Sequence, residues 1–147
     1  MKVKDCMNPH AISVGAEEPV AVAARLMARY NLGMLPVRGA GGQLVGVVTD
    51  RDVTVRCVAS GKAPGAVRVC QVMSTRPVCV TPETDVYAAA SRMAREQVRR
   101  LPVVSDGRLC GVVSLGDLTR QADYSMEAAE CLEHICANVS SFAEDDL

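Results

Sequence analysis

The sequence predicts an α/β fold of two β-α-β-β-α motifs packed with pseudo-twofold symmetry, followed by a C-terminal helix. Three observations predict it. The chain repeats itself once along its length. Each copy moves between strand-like and helix-like apolar spacing in the same order. Each copy alone holds only about 50 residues, too few to close a stable core without its sibling.

The repeat is read by laying Val3–Val37 on Val69–Val103. Met7 falls on Met73, Val14 on Val80, Val20 on Val86, and Ala23-Ala24 on Ala89-Ala90. Met27-Ala28-Arg29 falls on Met93-Ala94-Arg95, and Leu35-Pro36-Val37 on Leu101-Pro102-Val103. One residue is then lost in a loop. After it Gly46-Val47-Val48 falls on Gly111-Val112-Val113, and Asp52 on Asp117.

The second copy shows the elements in order. Val78-Cys79-Val80 reads as a short strand. Thr84 is the expected N-cap of the next helix, with Asp85 in its first turn. Val86, Ala89, Ala90, Met93 and Ala94 then recur at the spacing of one buried helical face. In the first copy Pro19 takes the place of Asp85, a first helical residue, where proline is tolerated. Leu101–Val104 and Leu109–Ser114 are strands joined by the hairpin signal Ser105-Asp106-Gly107-Arg108. Gly39-Ala40-Gly41-Gly42 is its counterpart. A last helix starts near Asp50 in copy one and Leu115 in copy two. Gly61, Pro64 and Gly65 within Ser60–Ala66 mark a connection. The expected division is motif one at 3–61, a linker at 62–68, motif two at 69–122, and a C-terminal helix and tail at 123–147.

Composition narrows the function. The chain has 147 residues, 49% of them hydrophobic, yet three Tyr, one Phe and no Trp. Its core must therefore come from small aliphatic side chains. Sixteen basic residues against 17 acidic give a net charge of −1. No basic run follows a phosphate backbone, so nucleic acid is not the expected partner. No apolar stretch reaches the ~18 residues of a membrane span. Met1 to Pro19 lacks a hydrophobic signal core, and the expected location is the cytoplasm. Seven cysteines, an odd number without a C-x-x-C, read as reduced core residues rather than a disulfide framework.

The chemistry concentrates in Gly46-Val47-Val48-Thr49-Asp50-Arg51-Asp52 and Gly111-Val112-Val113-Ser114-Leu115-Gly116-Asp117. Each places a hydroxyl where a strand turns into a helix, and a carboxylate three residues on. Two readings stay open. In one, Thr49 with Asp52 and Ser114 with Asp117 are capping boxes and nothing more. In the other, the helix start draws a phosphate, the hydroxyl donates to it, and the carboxylate accepts from a vicinal diol. Ribose supplies such a diol, so the pair fits a ribonucleotide. Arg51, Arg99 and Arg100 either reach a phosphate or face solvent. No Ser-His-Asp set, P-loop or paired acids appear, which points away from catalysis.

Leu35-Pro36-Val37 with Gly46–Asp52, and Leu101-Pro102-Val103 with Gly111–Asp117, resemble the signature of CBS domains. The pair resembles a Bateman module over Val3 to about Ala122, and small bacterial proteins of the hypoxic-response type look similar in length. The resemblance implies a regulatory module, acting as a homodimer, that binds adenosine compounds. The candidates are AMP, ADP, ATP and S-adenosylmethionine, with NAD or cyclic di-AMP in some members, and no required cofactor. It implies that Ser114, Asp117 and Val112 are joined by Met7, His10 and Ile12. It implies that Thr49, Asp52 and Val47 are joined by Met73, Arg76 and Val78. Met34 and Arg100 would line the two sites. They differ, so the sites should not be equivalent, and the one beside Arg100 should fill first. An unidentified protein partner would read the ligand state.

Two other functions compete with a nucleotide sensor. A ligand-free interaction scaffold would use both motifs as caps only. A cysteine-based redox sensor would need an exposed, low-pKa thiol. In the tail, Cys131, His134 and Cys136 lie close in sequence, but a fourth ligand is missing and a metal is not expected. Met126, Ala129, Leu132, Ile135, Cys136 and Val139 form one stripe, the pattern of a helix packed on the module or on a second subunit.

Overall fold

The computed structural model describes residues 1–120, 129–130 and 133–134. The tail stripe and the Cys131–Cys136 constellation lie largely outside them. The fold is mixed α/β, with the two repeats building matching sets of elements. In the first, β1 (Val14–Gly15), α1 (Val20–Tyr30), β2 (Met34–Arg38), β3 (Leu44–Thr49) and α2 (Asp50–Asp52) follow in order. The helix begun by α2 continues as a π-helix over Val53–Val58. In the second, α3 (Val86–Glu96), β4 (Arg100–Ser105), β5 (Arg108–Ser114) and α4 (Leu115–Thr119) follow. A 3-10 turn precedes each set, at Val3–Asp5 and Val69–Gln71.

The first sheet runs β1-β2-β3, with β1 parallel and β3 antiparallel to β2. The second is the β4-β5 hairpin. The strand expected at Val78-Cys79-Val80 is reduced to one parallel bridge, Val80 to Val103. The cause lies two residues on. In the first repeat Ala16 N donates to Arg38 O at 2.9 Å and extends the pairing. Its counterpart is Pro82, which has no N–H to give.

Both long helices begin one residue later than the sequence suggested. Asp85, not Thr84, is the N-cap of α3, and its Oδ1 accepts from Tyr87 N at 2.9 Å. Thr84 instead closes a turn, its Oγ1 accepting from Thr81 N at 3.0 Å. Pro19 likewise sits at the N-cap, since its ψ of 146° is extended rather than helical. The ends also match. Asn31 and Gln97 stop α1 and α3 in the left-handed region, at φ of 53° and 57°. The next residues, Leu32 and Val98, donate back to Met27 O and Met93 O at 2.9 and 3.0 Å. This closes the last turn and turns an apolar side chain inward. The β4-β5 turn is tighter than expected, with only Asp106 and Gly107 between the strands, at φ of 52° and 77°. Positive φ at both positions matches the twist of a two-residue hairpin.

Two compact units result. One holds His10–Pro77 with Val104–Leu109. The other holds Met1–Pro9, Val78–Val103 and the described residues from Cys110 onward. Each has its own aliphatic core. Val14, Val20, Ala23, Leu35, Val37, Val48, Val69 and Val72 build the first. Val3, Val86, Ala89, Met93, Leu101, Val103, Val113 and Leu118 build the second. Burying each such Val or Leu contributes about 1.5–3 kcal/mol. Cys57 is buried, whereas Cys6, Cys70, Cys79 and Cys110, expected in the core, are only half-buried.

The segments before the repeats are exchanged between these units. Val67 O accepts from Val20 N at 2.8 Å, and Val69 N donates to Glu18 O at 2.8 Å. Correspondingly, Met1 O accepts from Val86 N at 3.1 Å, and Val3 N donates to Thr84 O at 2.8 Å. The lead-in to each repeat thus covers the helix start of the other, a pairing that no local pattern in the sequence announces.

Candidate functional site

The exchange continues to the strands that carry the two motifs. Ser74 pairs with Val47 through two backbone bonds, at 2.9 and 3.0 Å. Asn8 pairs with Val112 in the same way, at 2.9 and 3.0 Å. Glycine makes both approaches possible. A Cβ at Gly46 would lie 2.6 Å from Ser74 O, and one at Gly111 would lie 2.5 Å from Asn8 O. Both are far inside van der Waals contact with backbone that has nowhere to move.

At the end of β3, Thr49 caps α2. Its Oγ1 accepts from Asp52 N at 3.0 Å, and Asp52 Oδ2 accepts from Thr49 N at 2.9 Å. At the end of β5, Ser114 Oγ accepts from Asp117 N at 3.1 Å, and Asp117 Oδ2 accepts from Ser114 N at 2.8 Å. These are reciprocal capping boxes. The first helical N–H is satisfied as well, Asp50 N by Gly33 O at 3.0 Å and Leu115 N by Arg99 O at 2.7 Å. The cap fixes each carboxylate through Oδ2 and leaves Oδ1 on the other side. There Asp52 Oδ1 lies 3.7 Å from Arg56 Nε, and Asp117 Oδ1 is paired with Arg120. Both carboxylates are mostly covered, with side chains 12% and 13% exposed, beside more exposed arginines.

The other expected site residues sort by unit. Met34 stands directly opposite Thr49 in the β2-β3 register and is half-buried. Met73 packs on the first core, next to Gly46 and Val47. Arg51 is exposed, its N–H donating to Asp50 Oδ1 at 2.9 Å. Arg76 is exposed with φ of 54° and belongs to the same unit as Thr49 and Asp52. Met7 packs on the second core, one residue from the Asn8–Val112 pair, in the unit of Ser114 and Asp117. Arg99, exposed, and Arg100, half-buried, enter β4 in that unit. His10 and Ile12 belong to the unit of Thr49 and Asp52, and Val78 to the unit of Ser114 and Asp117.

Sequence reasoning missed three neighbours. Cys6 lies close enough to Asp117 to feel its charge; burial first, then the Asp117 carboxylate, push its thiol above the ordinary value. Arg56 and Arg120 were not singled out, because a lone arginine on a surface helix carries no pattern. Among the described residues no group of three His, Cys, Asp or Glu could hold a metal ion. His134 is exposed, with Nδ1 2.9 Å from Glu130 O. No described helix is long and apolar enough to cross a membrane.

Compared with known protein families, the chain matches the CBS domain twice, over residues 3–58 and 69–123. The chain belongs to the CBS-domain family. It is 38% identical over 133 residues to CBS domain-containing protein YhcV of Bacillus subtilis (strain 168), covering 90% of this chain and 94% of that one. Among solved structures it is similar to Hypoxic Response Protein I with two coordinated zinc ions. There the identity is 30% and the TM-score 0.77, over 82% of this chain and 98% of the other. It is also similar to CBSX2 in complex with AMP, at 30% identity and a TM-score of 0.71, over 82% and 95% of the two chains. CBS domain proteins are generally regulatory rather than catalytic.

Proposed function

We propose that this CBS pair is a regulatory sensor of adenine nucleotides of the AMP, ADP or ATP type, acting as a homodimer and catalysing no reaction. The observation that carries the reading is the duplicated helix start. In both copies the cap pre-orients a mostly covered carboxylate and leaves one oxygen, Oδ1, directed at an arginine rather than at the backbone. A ribose diol can donate to such an oxygen, and a carboxylate already held in place loses little entropy on binding it. The AMP complex of CBSX2, at 30% identity, supports adenosine as the ligand class.

The Ser114–Asp117 start is the one expected to fill first. Arg100 lies at the head of its strand β4, where β2 carries Met34. Arg99, Val112 and Met7 complete its surroundings. Thr49 and Asp52, with Arg51, Val47, Met73 and Arg76, form the weaker counterpart. Binding acts on a partner only if two arrangements of the module differ in nucleotide affinity.

Thermal shift and calorimetry with AMP, ADP, ATP and S-adenosylmethionine test the reading. Saturable binding that is lost in Asp117→Asn supports it, and no binding by any of the four ends it. The scaffold reading is favoured by one observation: each hydroxyl and carboxylate already has an intramolecular partner. It requires that the same variants change stability alone.

A further inference from the structure

Arg56 stands in the π-helix Val53–Val58, a form whose longer i→i+5 repeat is rare and tends to occur at functional positions. Its Nη1 donates to two successive carbonyls, Val72 O at 3.1 Å and Met73 O at 3.2 Å. The same guanidinium turns Nε to Asp52 Oδ1 at 3.7 Å. Met73 leads directly into Ser74, which exchanges its two backbone bonds with Val47 on β3. One side chain therefore spans the carboxylate of the helix start and the segment laid across the strand that feeds it. Only a planar fork does this at once, since the ammonium of lysine is a single point of donation. In the second repeat the corresponding carboxylate, Asp117, is paired with Arg120.

We propose that Arg56 is a positioning residue for the Thr49–Asp52 start, fixing the 72–74 segment on β3 and reporting to it whether Asp52 is occupied. The second half rests on the reading of Asp52 as a diol acceptor. A ribose diol that takes Asp52 Oδ1 displaces the Nε contact, while Nη1 stays on the Val72 and Met73 carbonyls. The guanidinium must then shift, and the segment shifts with it.

Amide hydrogen exchange on the full chain tests both halves. Without ligand, Arg56→Met and Arg56→Lys should each speed exchange at the Ser74 and Val47 amides by about tenfold, the loss of bonds from a charged donor. The Asn8 and Val112 amides, paired in the same way in the other unit, serve as the internal reference and should not change. Equal protection of Ser74 and Val47 in wild type and both variants overturns the positioning role, as does full rescue by lysine. With AMP at a concentration where calorimetry shows binding, wild type should change its exchange across 72–74, and Arg56→Met should bind AMP without that change. An unaltered AMP response in Arg56→Met overturns the reporting role. A wild-type chain that binds no AMP overturns that half together with the nucleotide reading, and the ligand-free arm still decides the positioning role.

Discussion

Ser114 and Asp117 hold each other by two hydrogen bonds, Asp117 N to Ser114 Oγ at 3.1 Å and Ser114 N to Asp117 Oδ2 at 2.8 Å. Thr49 and Asp52 repeat the arrangement at the other helix start. The hydroxyls are therefore structural in the absence of any ligand. Ser114→Ala should lower stability by about 0.5–2 kcal/mol, the usual cost of removing an N-cap oxygen. Urea denaturation measures it, and an unchanged midpoint would show that the cap contributes nothing.

Gly111 and Gly46 should tolerate no side chain. A Cβ at Gly111 meets Asn8 O at 2.5 Å, and its other close neighbours are also backbone, Asn8 C and Pro9 Cα, both at 3.2 Å. Gly111→Ala should cost about 1–3 kcal/mol, as overpacking against fixed atoms does. It should also expose the Asn8 and Val112 amides to exchange. Gly116→Ala, whose Cβ would meet only Ser114 Oγ at an ordinary 3.6 Å, is the control and should behave as wild type. Equal stability of the two variants would contradict the close approach.

Cys6 gives a pH dependence. Burial raises its thiol above the ordinary 9.0, and the charges of Asp117 and Asp5 push the same way. The folded chain then holds this proton more tightly than the unfolded one. The stabilisation is fully present below the ordinary value and is lost as pH rises through the folded value. Cys6→Ala should show a shallower fall in stability above pH ~9 than wild type. Alkylation of Cys6 by iodoacetamide should likewise reach half its maximal rate at higher pH than a free thiol. A midpoint below that of the free thiol would instead favour the redox reading, which needs a low-pKa cysteine.

Much of the fold was legible because it is local and repeated. The apolar face Val86, Ala89, Ala90 and Met93 is buried, and the helices begin at Asp50 and Leu115 where the hydroxyl-x-x-Asp pattern places them. The single-residue shift at Asp85 and Pro19 turns on one ψ angle, which composition does not encode. The bridge at Val80 was legible in principle, since Pro82 removes the donor that Ala16 provides. What no local pattern carries is non-local, and only the family resemblance set Met7 beside Val112 and Met73 beside Val47. The pairs Asn8–Val112 and Ser74–Val47 join strands to segments far away in sequence, and Arg56 reaches carbonyls 16 and 17 residues on. For the site, the hydroxyl-x-x-Asp pattern announces the two capping boxes, and both are present. The arginine partners of the two Asp residues were not legible, because an exposed arginine acquires meaning only from what the fold sets beside it.

Calorimetric titration of AMP into the full chain and into Asp52→Asn/Asp117→Asn tests the central claim most directly. Asparagine keeps an oxygen to accept from Thr49 N or Ser114 N, so the caps and the melting temperature should survive. The charged acceptor offered to a diol is gone, and hydrogen bonds to charged groups contribute about 1.5–3 kcal/mol each. Wild type should bind AMP saturably, and the double variant should bind at least about tenfold more weakly at unchanged fold. Equal affinity in the two chains, or no binding of AMP by wild type, would contradict the account.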